Sequence, residues 1–477
     1  MALVQPAYAE KVDLDPSNWG HEDGGQCVKC HKKSSHGLFE QWKGGAHGKA
    51  NVNCYDCHRA EESDADAFEH KGNIISLIVS PKDCARCHPK EFKQQQGSTH
   101  ADAVVRLDKY VKTLGNLVSG PAVVNAGCAQ CHGSRVKVRG DGSLEPESWP
   151  NTGIGRINPD GSRGSCSSCH VRHSFSKAQA RDPQACSRCH SGLDSPDKEI
   201  YDASKHGMVY SSRQHEMNFE SDSWVTGVDN NVAPTCVTCH MAATPSLRGT
   251  HDVGMRNAWK LNTPVSEKQY LIIFEDGDKQ NWPVSKEPPK KGDGLAKRDG
   301  TTGIVKVVAG PKRRRAAMMK VCVECHGTPF ANGFMKLFDD VVVLYNEKFG
   351  KPALAIMQEL YKRGKLTPTP FDEPIEYTYW ELWHDEGARA RHGASMGSPN
   401  HVWWEGMYQV ARNFYTKFLP EVHQVAGFQL GSDLVATHVG QSKHHEWMNH
   451  HNIDDPILHM QMDEYIQETG EAKGGAQ

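Results

Sequence analysis

Several things are scarce in this chain. No apolar run approaches the length of about 18 residues that a membrane-spanning helix needs. Apolar residues make up 37% of the sequence and mean hydropathy is -0.64, which is lean for 477 residues building one large core from side chains alone. Positive charge is not in excess. With a net charge of -3 and a pI near 6.8, the basic footprint of a nucleic-acid binder is excluded. Cysteine is plentiful, but none is spare. All 16 cysteines fall into pairs with one spacing, so none remains for a disulfide, a zinc site or a free nucleophile.

What is present is one unit, Cys-x-x-Cys-His, repeated eight times: Cys27-Cys30-His31, Cys54-Cys57-His58, Cys84-Cys87-His88, Cys128-Cys131-His132, Cys166-Cys169-His170, Cys186-Cys189-His190, Cys236-Cys239-His240 and Cys322-Cys325-His326. Composition alone predicts roughly 0.03 such units. The unit is the attachment signature of c-type haem. Two thiols form thioethers to the porphyrin edge, and the histidine that follows lies beneath the iron as proximal ligand. Zinc needs paired cysteines combined into tetrahedral sites, not a histidine after every second one. A thioredoxin-like redox motif normally occurs once. The expected cofactors are therefore eight covalently bound haems. Their apolar discs supply the core that the side chains lack.

Each iron of an electron-transfer haem also needs a distal ligand, usually histidine. Of 27 histidines, eight are proximal, so 19 remain for the distal role. His36, His47, His70, His100, His206, His215 and His392 are the candidates, and His21, His173 and His251 belong to the same pool. Ser35-His36-Gly37 and Ala46-His47-Gly48 suit a ligand presented from a tight turn. Which histidine serves which haem cannot be read from spacing.

The expected fold is mainly α: a multihaem cytochrome with a haem-packed core and a C-terminal bundle of long helices. Ala7-Tyr8-Ala9 has the form of a signal-peptidase site, so residues 1–9 are expected to be the remnant of an export signal. The haem-bearing domain is expected over 10–330, a helical domain over 331–437 and a solvated histidine-rich tail over 438–477. Little β structure is expected beyond a hairpin at about 265–310. Phe334–Arg363 and Ile375–Val422 carry apolar residues at helical spacing. Arg313-Arg314-Arg315 reads either as a solvated basic face or as a neutraliser of haem propionates. Haem of this type is attached outside the bacterial cytoplasm, so an exported protein, in the periplasm or an equivalent compartment, is expected.

Taken with Ser204-Lys205-His206-Gly207, Thr250-His251-Asp252-Val253-Gly254 and the stretch from Trp383-His384-Asp385-Glu386-Gly387 to Met396-Gly397, the pattern resembles the octahaem hydroxylamine oxidoreductase family. The resemblance implies an α-helical protein, often trimeric, acting on hydroxylamine, hydrazine or nitrite. It implies a redox partner such as a cytochrome or a quinone-linked protein, in a homo-trimer or hetero-oligomer. It also implies a catalytic fourth haem on Cys128, Cys131 and His132 with an open distal side, the other seven being relays. His251, Asp252 and Tyr345 are the implied distal-pocket residues, with His251 as a distal ligand of another haem being the competing reading. In oxidising members a tyrosine from a neighbouring subunit is cross-linked to the catalytic haem. Here that stretch has His401 at the tyrosine position and Glu405 at the position of a following histidine; Tyr408 and Tyr415 come next at helical spacing. The direction of electron flow is left open by this departure. The alternative function is a non-catalytic electron-transfer cytochrome or partner subunit.

Overall fold

The structure, a computed structural model, describes residues 24–105, 120–193, 195–297 and 300–449. The expected signal remnant at 1–9, His21, and the tail histidines His450, His451 and His459 lie outside the described residues. About 51% of the chain is helical and 11% is strand, so the fold is mainly α.

The haem-bearing part is built from short pieces. Helices such as His36–Gly44, Cys54–His58 and Pro81–Cys84 are joined by loops and by a small hairpin, β1 (Ala67–His70) with β2 (Asn73–Ser76). Its buried side chains are largely polar, and many of them bond to backbone. Arg156 is fully enclosed, donating to the Asn158 side-chain oxygen at 2.6 Å and the Asn151 carbonyl at 3.0 Å.

The expected hairpin is a larger object. β3 (Trp259–Lys260), β4 (Glu267–Phe274), β5 (Lys279–Pro283), β6 (Gly294–Ala296) and β7 (Thr302–Ala309) form one antiparallel sheet, with β4 pairing β3, β5 and β7. Ile272, Phe274 and Val305 are buried beneath it. The basic run that follows is neither a solvated face nor a free propionate partner at its second and third residues. Arg314 is buried and donates to the carbonyls of Gly254 at 2.7 Å and Gln269 at 3.2 Å, while Arg315 donates to Asp339 at 2.6 Å.

After the last haem unit the chain becomes long helices: 328–362, 374–396, 399–426 and 428–440. Wide π turns interrupt them at Asn346–Gly350 and Phe414–Phe418, just before Pro352 and Pro420. A proline there has no N–H to donate and its ring crowds the preceding turn, so a widened turn accommodates it. These helices enclose the largest apolar cluster among the described residues, 17 side chains including Tyr345, Phe349, Ile356, Leu360, Phe414, Phe418 and Val422. The start of the histidine-rich stretch is not solvated, contrary to expectation. His445 is wholly buried against Phe349, Phe414 and Tyr415, and burial, then Lys348 and His444, push it down to about 4.

Candidate haem-ligand sites and their wiring

Each Cys-x-x-Cys-His unit sits on a single helical turn. The histidine N–H donates to the carbonyl of the first cysteine: His88 to Cys84 at 2.8 Å, His170 to Cys166 at 3.0 Å, His190 to Cys186 at 2.9 Å and His326 to Cys322 at 3.0 Å. Positions i, i+3 and i+4 of one turn share a face, so both sulfurs and the imidazole point the same way. All 16 cysteines are free of disulfides. Three proximal imidazoles donate from Nδ1: His58 to the Ser76 carbonyl at 2.8 Å, His240 to the Val253 carbonyl at 3.1 Å and His190 to Asp197 Oδ2 at 2.8 Å. That bond fixes the tautomer and leaves Nε2 bare for a metal.

Opposite the proximal histidines stand other histidines, at a spacing that tests whether an iron fits. Two metal–nitrogen bonds of about 2.0–2.1 Å, with roughly 1.1 Å from each ring nitrogen to its ring centre, place the ring centres about 6.3 Å apart. His31 and His70 are 6.3 Å apart, His88 and His47 are 6.2 Å, His190 and His100 are 6.2 Å, and His326 and His206 are 6.0 Å. Two further pairs are electrostatic neighbours. Burial, then His58, lowers His173; burial, then His251, pushes His170 down to about 4. The neutral imidazole so favoured is the form that binds metal. The residues fit haem iron held between two imidazoles.

Tertiary packing explains one of these ligands. Ser204 caps the helix Lys205–Arg213, and Gly207 packs so tightly on the preceding turn that a Cβ would lie 2.0 Å from the Tyr201 carbonyl. Only glycine permits that approach, which sets His206 beneath His326.

Among the described residues the proximal histidines of the other four units, His58, His132, His170 and His240, face no second imidazole at this spacing; the electrostatic neighbours His173 and His251 are given above for His58 and His170. The fourth is clamped from its C-terminal side. Gly133, at φ +88°, lies against Gly153 and Arg156, and Ile154 and Gly155 donate to the Cys131 and His132 carbonyls at 2.9 and 3.1 Å.

Cysteine neighbours give the order of the haem edges. Cys54 senses Cys27, Cys57 senses Cys84, and Cys84 touches Cys166. Cys169 lies near Cys189, Cys186 touches Cys236, and Cys239 lies near Cys322. The line therefore runs through units one, two, three, five, six, seven and eight. Cys131 touches Cys189, so the fourth unit adjoins the sixth.

The residues expected to line one distal pocket occupy separate surroundings. His251 belongs with His170 at the fifth unit. Asp252 is buried in an ion pair with Lys279 at 2.7 Å. Tyr345 lies inside the C-terminal apolar cluster, its hydroxyl donating to the Pro264 carbonyl at 3.3 Å. Tyr408 is 44% exposed with its ring against Trp404. Among the expected distal ligands, His36 and His215 belong to none of the histidine pairs given above, and His392 has both nitrogens engaged, Nδ1 by Asp197 and Nε2 by Asn262, each at 2.6 Å. A ligand needs one bare nitrogen. Asp197 was not foreseen. Nothing local marks it, because its partners are seven and 195 residues away.

Comparison with known proteins agrees with this geometry. A seven-times multihaem cytochrome CxxCH family model matches residues 158–282 and 308–374, and a cytochrome c554 and c-prime model matches 83–171. The chain is a multihaem c-type cytochrome. Within that class it is similar to proteins named for hydroxylamine oxidoreductase. A probable nitrite reductase-hydroxylamine oxidoreductase fusion protein of Kuenenia stuttgartiensis is 25% identical over 372 residues, 73% of this chain. The chain spans 39% of that relative's length. A cytochrome c-552 of Aliarcobacter butzleri is 41% identical over 59 residues, 12% of each chain. Among solved structures, a hypothetical multiheme protein superposes with a TM-score of 0.69 at 24% identity, covering 88% of this chain and 99% of that one. The reducing HAO-like protein complex of Kuenenia stuttgartiensis gives a TM-score of 0.57 at 18% identity, covering 84% and 85%. These two likenesses concern the fold. Among the described residues no helix is long and apolar enough to cross a membrane.

Proposed function

We propose that the chain carries eight haems and reduces a small nitrogen compound, such as nitrite or hydroxylamine, at the fourth, with the other seven as relays. The observation that carries this reading is His132. Among the described residues no imidazole stands at iron-spanning distance from it, and its unit is the one that the resemblance makes catalytic. When bound, the haem supplies an iron open to a nitrogen ligand and a store of single electrons. His132 is the residue that would hold that iron. The 153–156 loop fixes His132 through its carbonyl, so substrate binding leaves the proximal side unmoved.

The reductive direction rests on His401. It occupies the position where the resemblance expects a cross-linking tyrosine. It is buried, with Nδ1 2.9 Å from the Ser398 hydroxyl and Nε2 3.5 Å from Glu405. No phenol stands at that position to attach to a haem. The names of two similar proteins, a reducing HAO-like complex and a nitrite reductase-hydroxylamine oxidoreductase fusion, support the same direction. Oxidation of hydroxylamine or hydrazine is the reverse reading. It needs Tyr408 or Tyr415 to take the cross-linking role. The protein is exported in this reading. It receives electrons from a cytochrome or quinone-linked partner and works as a homo-trimer or hetero-oligomer.

Electron paramagnetic resonance tests the proposal. The resting protein should show a high-spin ferric signal that nitrite or hydroxylamine converts. His132→Ala should lose that conversion, while His240→Ala keeps it and pyridine haemochrome still counts eight haems in both. A wholly low-spin spectrum, unmoved by either compound, favours the second reading, a pure relay cytochrome.

A further inference from the structure

The sixth unit differs from its neighbours in what stands behind its proximal ligand. His58 and His240 donate from Nδ1 to backbone carbonyls, of Ser76 and Val253. His190 donates to a carboxylate, Asp197 Oδ2, at 2.8 Å. The Ser195 hydroxyl donates to the same oxygen at 2.9 Å, and His392 Nδ1 meets the other oxygen, Oδ1, at 2.6 Å. One carboxylate is thus shared between the proximal ligand of the sixth haem and a histidine on the C-terminal helix Gly387–Met396. The sixth is also the junction of the wiring. Its Cys189 touches Cys131 of the fourth unit and lies near Cys169 of the fifth, and its Cys186 touches Cys236 of the seventh.

An anionic acceptor pulls on the Nδ1 proton harder than a neutral carbonyl does. The imidazole gains imidazolate character, becomes a stronger donor through Nε2, and stabilises the ferric over the ferrous state. We propose that Asp197 tunes the junction haem, making it more reducing than the relays backed by carbonyls, and that His392 sets how much of the carboxylate's charge reaches His190. Asp197 touches neither substrate nor iron, so it is a positioning and tuning residue. The sixth unit adjoins the fourth, so a strongly reducing sixth haem supplies driving force for the reduction proposed above. The tuning rests on haem ligation by His190 and His100. Only its use rests on the catalytic reading.

Asp197 and His392 give variants of opposite sign. In spectroelectrochemical titration of the full holoprotein, Asp197→Asn should move one low-spin haem to higher potential. His392→Ala releases the second hold on the carboxylate and should move the same haem to lower potential. The same low-spin component should change its g-values in both variants. Potentials that stay put in both, or that rise in both, overturn the tuning. Its failure is separable from failure of the proposed function, because nitrite-induced conversion of the high-spin signal is a different readout and does not require the junction potential to shift. If Asp197→Asn does not fold, His392→Ala alone decides: an unmoved or raised junction potential overturns the proposal.

Discussion

The haem-bearing part and the C-terminal helices solve the same problem with different means. The helices from 328 to 440 enclose an apolar cluster of 17 buried side chains, while each of the other three clusters among the described residues has a nucleus of only three. In the haem-bearing part the side chains that are buried are often Ser, Asn, Thr or Arg bonded to backbone. Among the described residues its helices run to 11 residues at most before the sheet, too short to be stable in water without tertiary support. The contrast teaches that one region folds on its own side chains and the other on its cofactor.

The largest test of that contrast is to withhold haem. In the full chain made without haem attachment, hydrogen exchange should show protection confined to 328–440, with the haem-bearing turns exchanging freely. Uniform protection, or none, would break the comparison. Next in size is a cavity in the helical part. Phe414 is fully buried, edge-on to Phe349 and stacked on Phe418. Phe414→Ala should cost about 3–5 kcal/mol in denaturant unfolding of that part and leave the low-spin haem spectra unchanged. Altered haem spectra would mean that the two parts are not energetically separate.

Glu386 gives a smaller effect that varies with pH. Burial pushes its carboxyl up to about 7; Asn413 opposes this, and Asp385 adds to it. The folded state therefore keeps a proton that the unfolded state has lost above its ordinary value near 4.5. Stability should fall as pH rises from about 4.5 to about 7, and the loss should then level off. Glu386→Gln should remove this slope and raise stability at pH 8 by up to about 3 kcal/mol. The variant and the parent should unfold with equal pH slopes if the carboxyl is not held neutral. The smallest effect belongs to Tyr408, which lies on the exposed side of the helices. Tyr408→Phe should change stability by less than about 0.5 kcal/mol and leave the absorption spectrum of the reduced protein intact. A lost absorption band would instead assign the cross-link to this phenol and reverse the proposed direction.

The attachment sites were legible because their geometry is local. Two sulfurs and one imidazole occupy a single turn, so five residues specify them wherever the turn is placed. The long C-terminal helices were legible for a similar reason, since Phe334–Arg363 carries its apolar face at helical period within one segment. Tertiary structure decided the rest. His251 and Asp252 are adjacent in sequence, yet one is an electrostatic neighbour of His170 and the other pairs with Lys279. His206 meets His326 across 120 residues, and Asp197 meets His392 across 195. The place of the fourth unit beside the sixth follows from Cys131 meeting Cys189. Such pairings depend on how distant turns pack around a rigid disc, and no periodicity within a segment records that packing. From its sequence alone the protein was determined to bind haem, and how; which histidines meet across the chain, and what stands behind His190, were decided only when the turns came together.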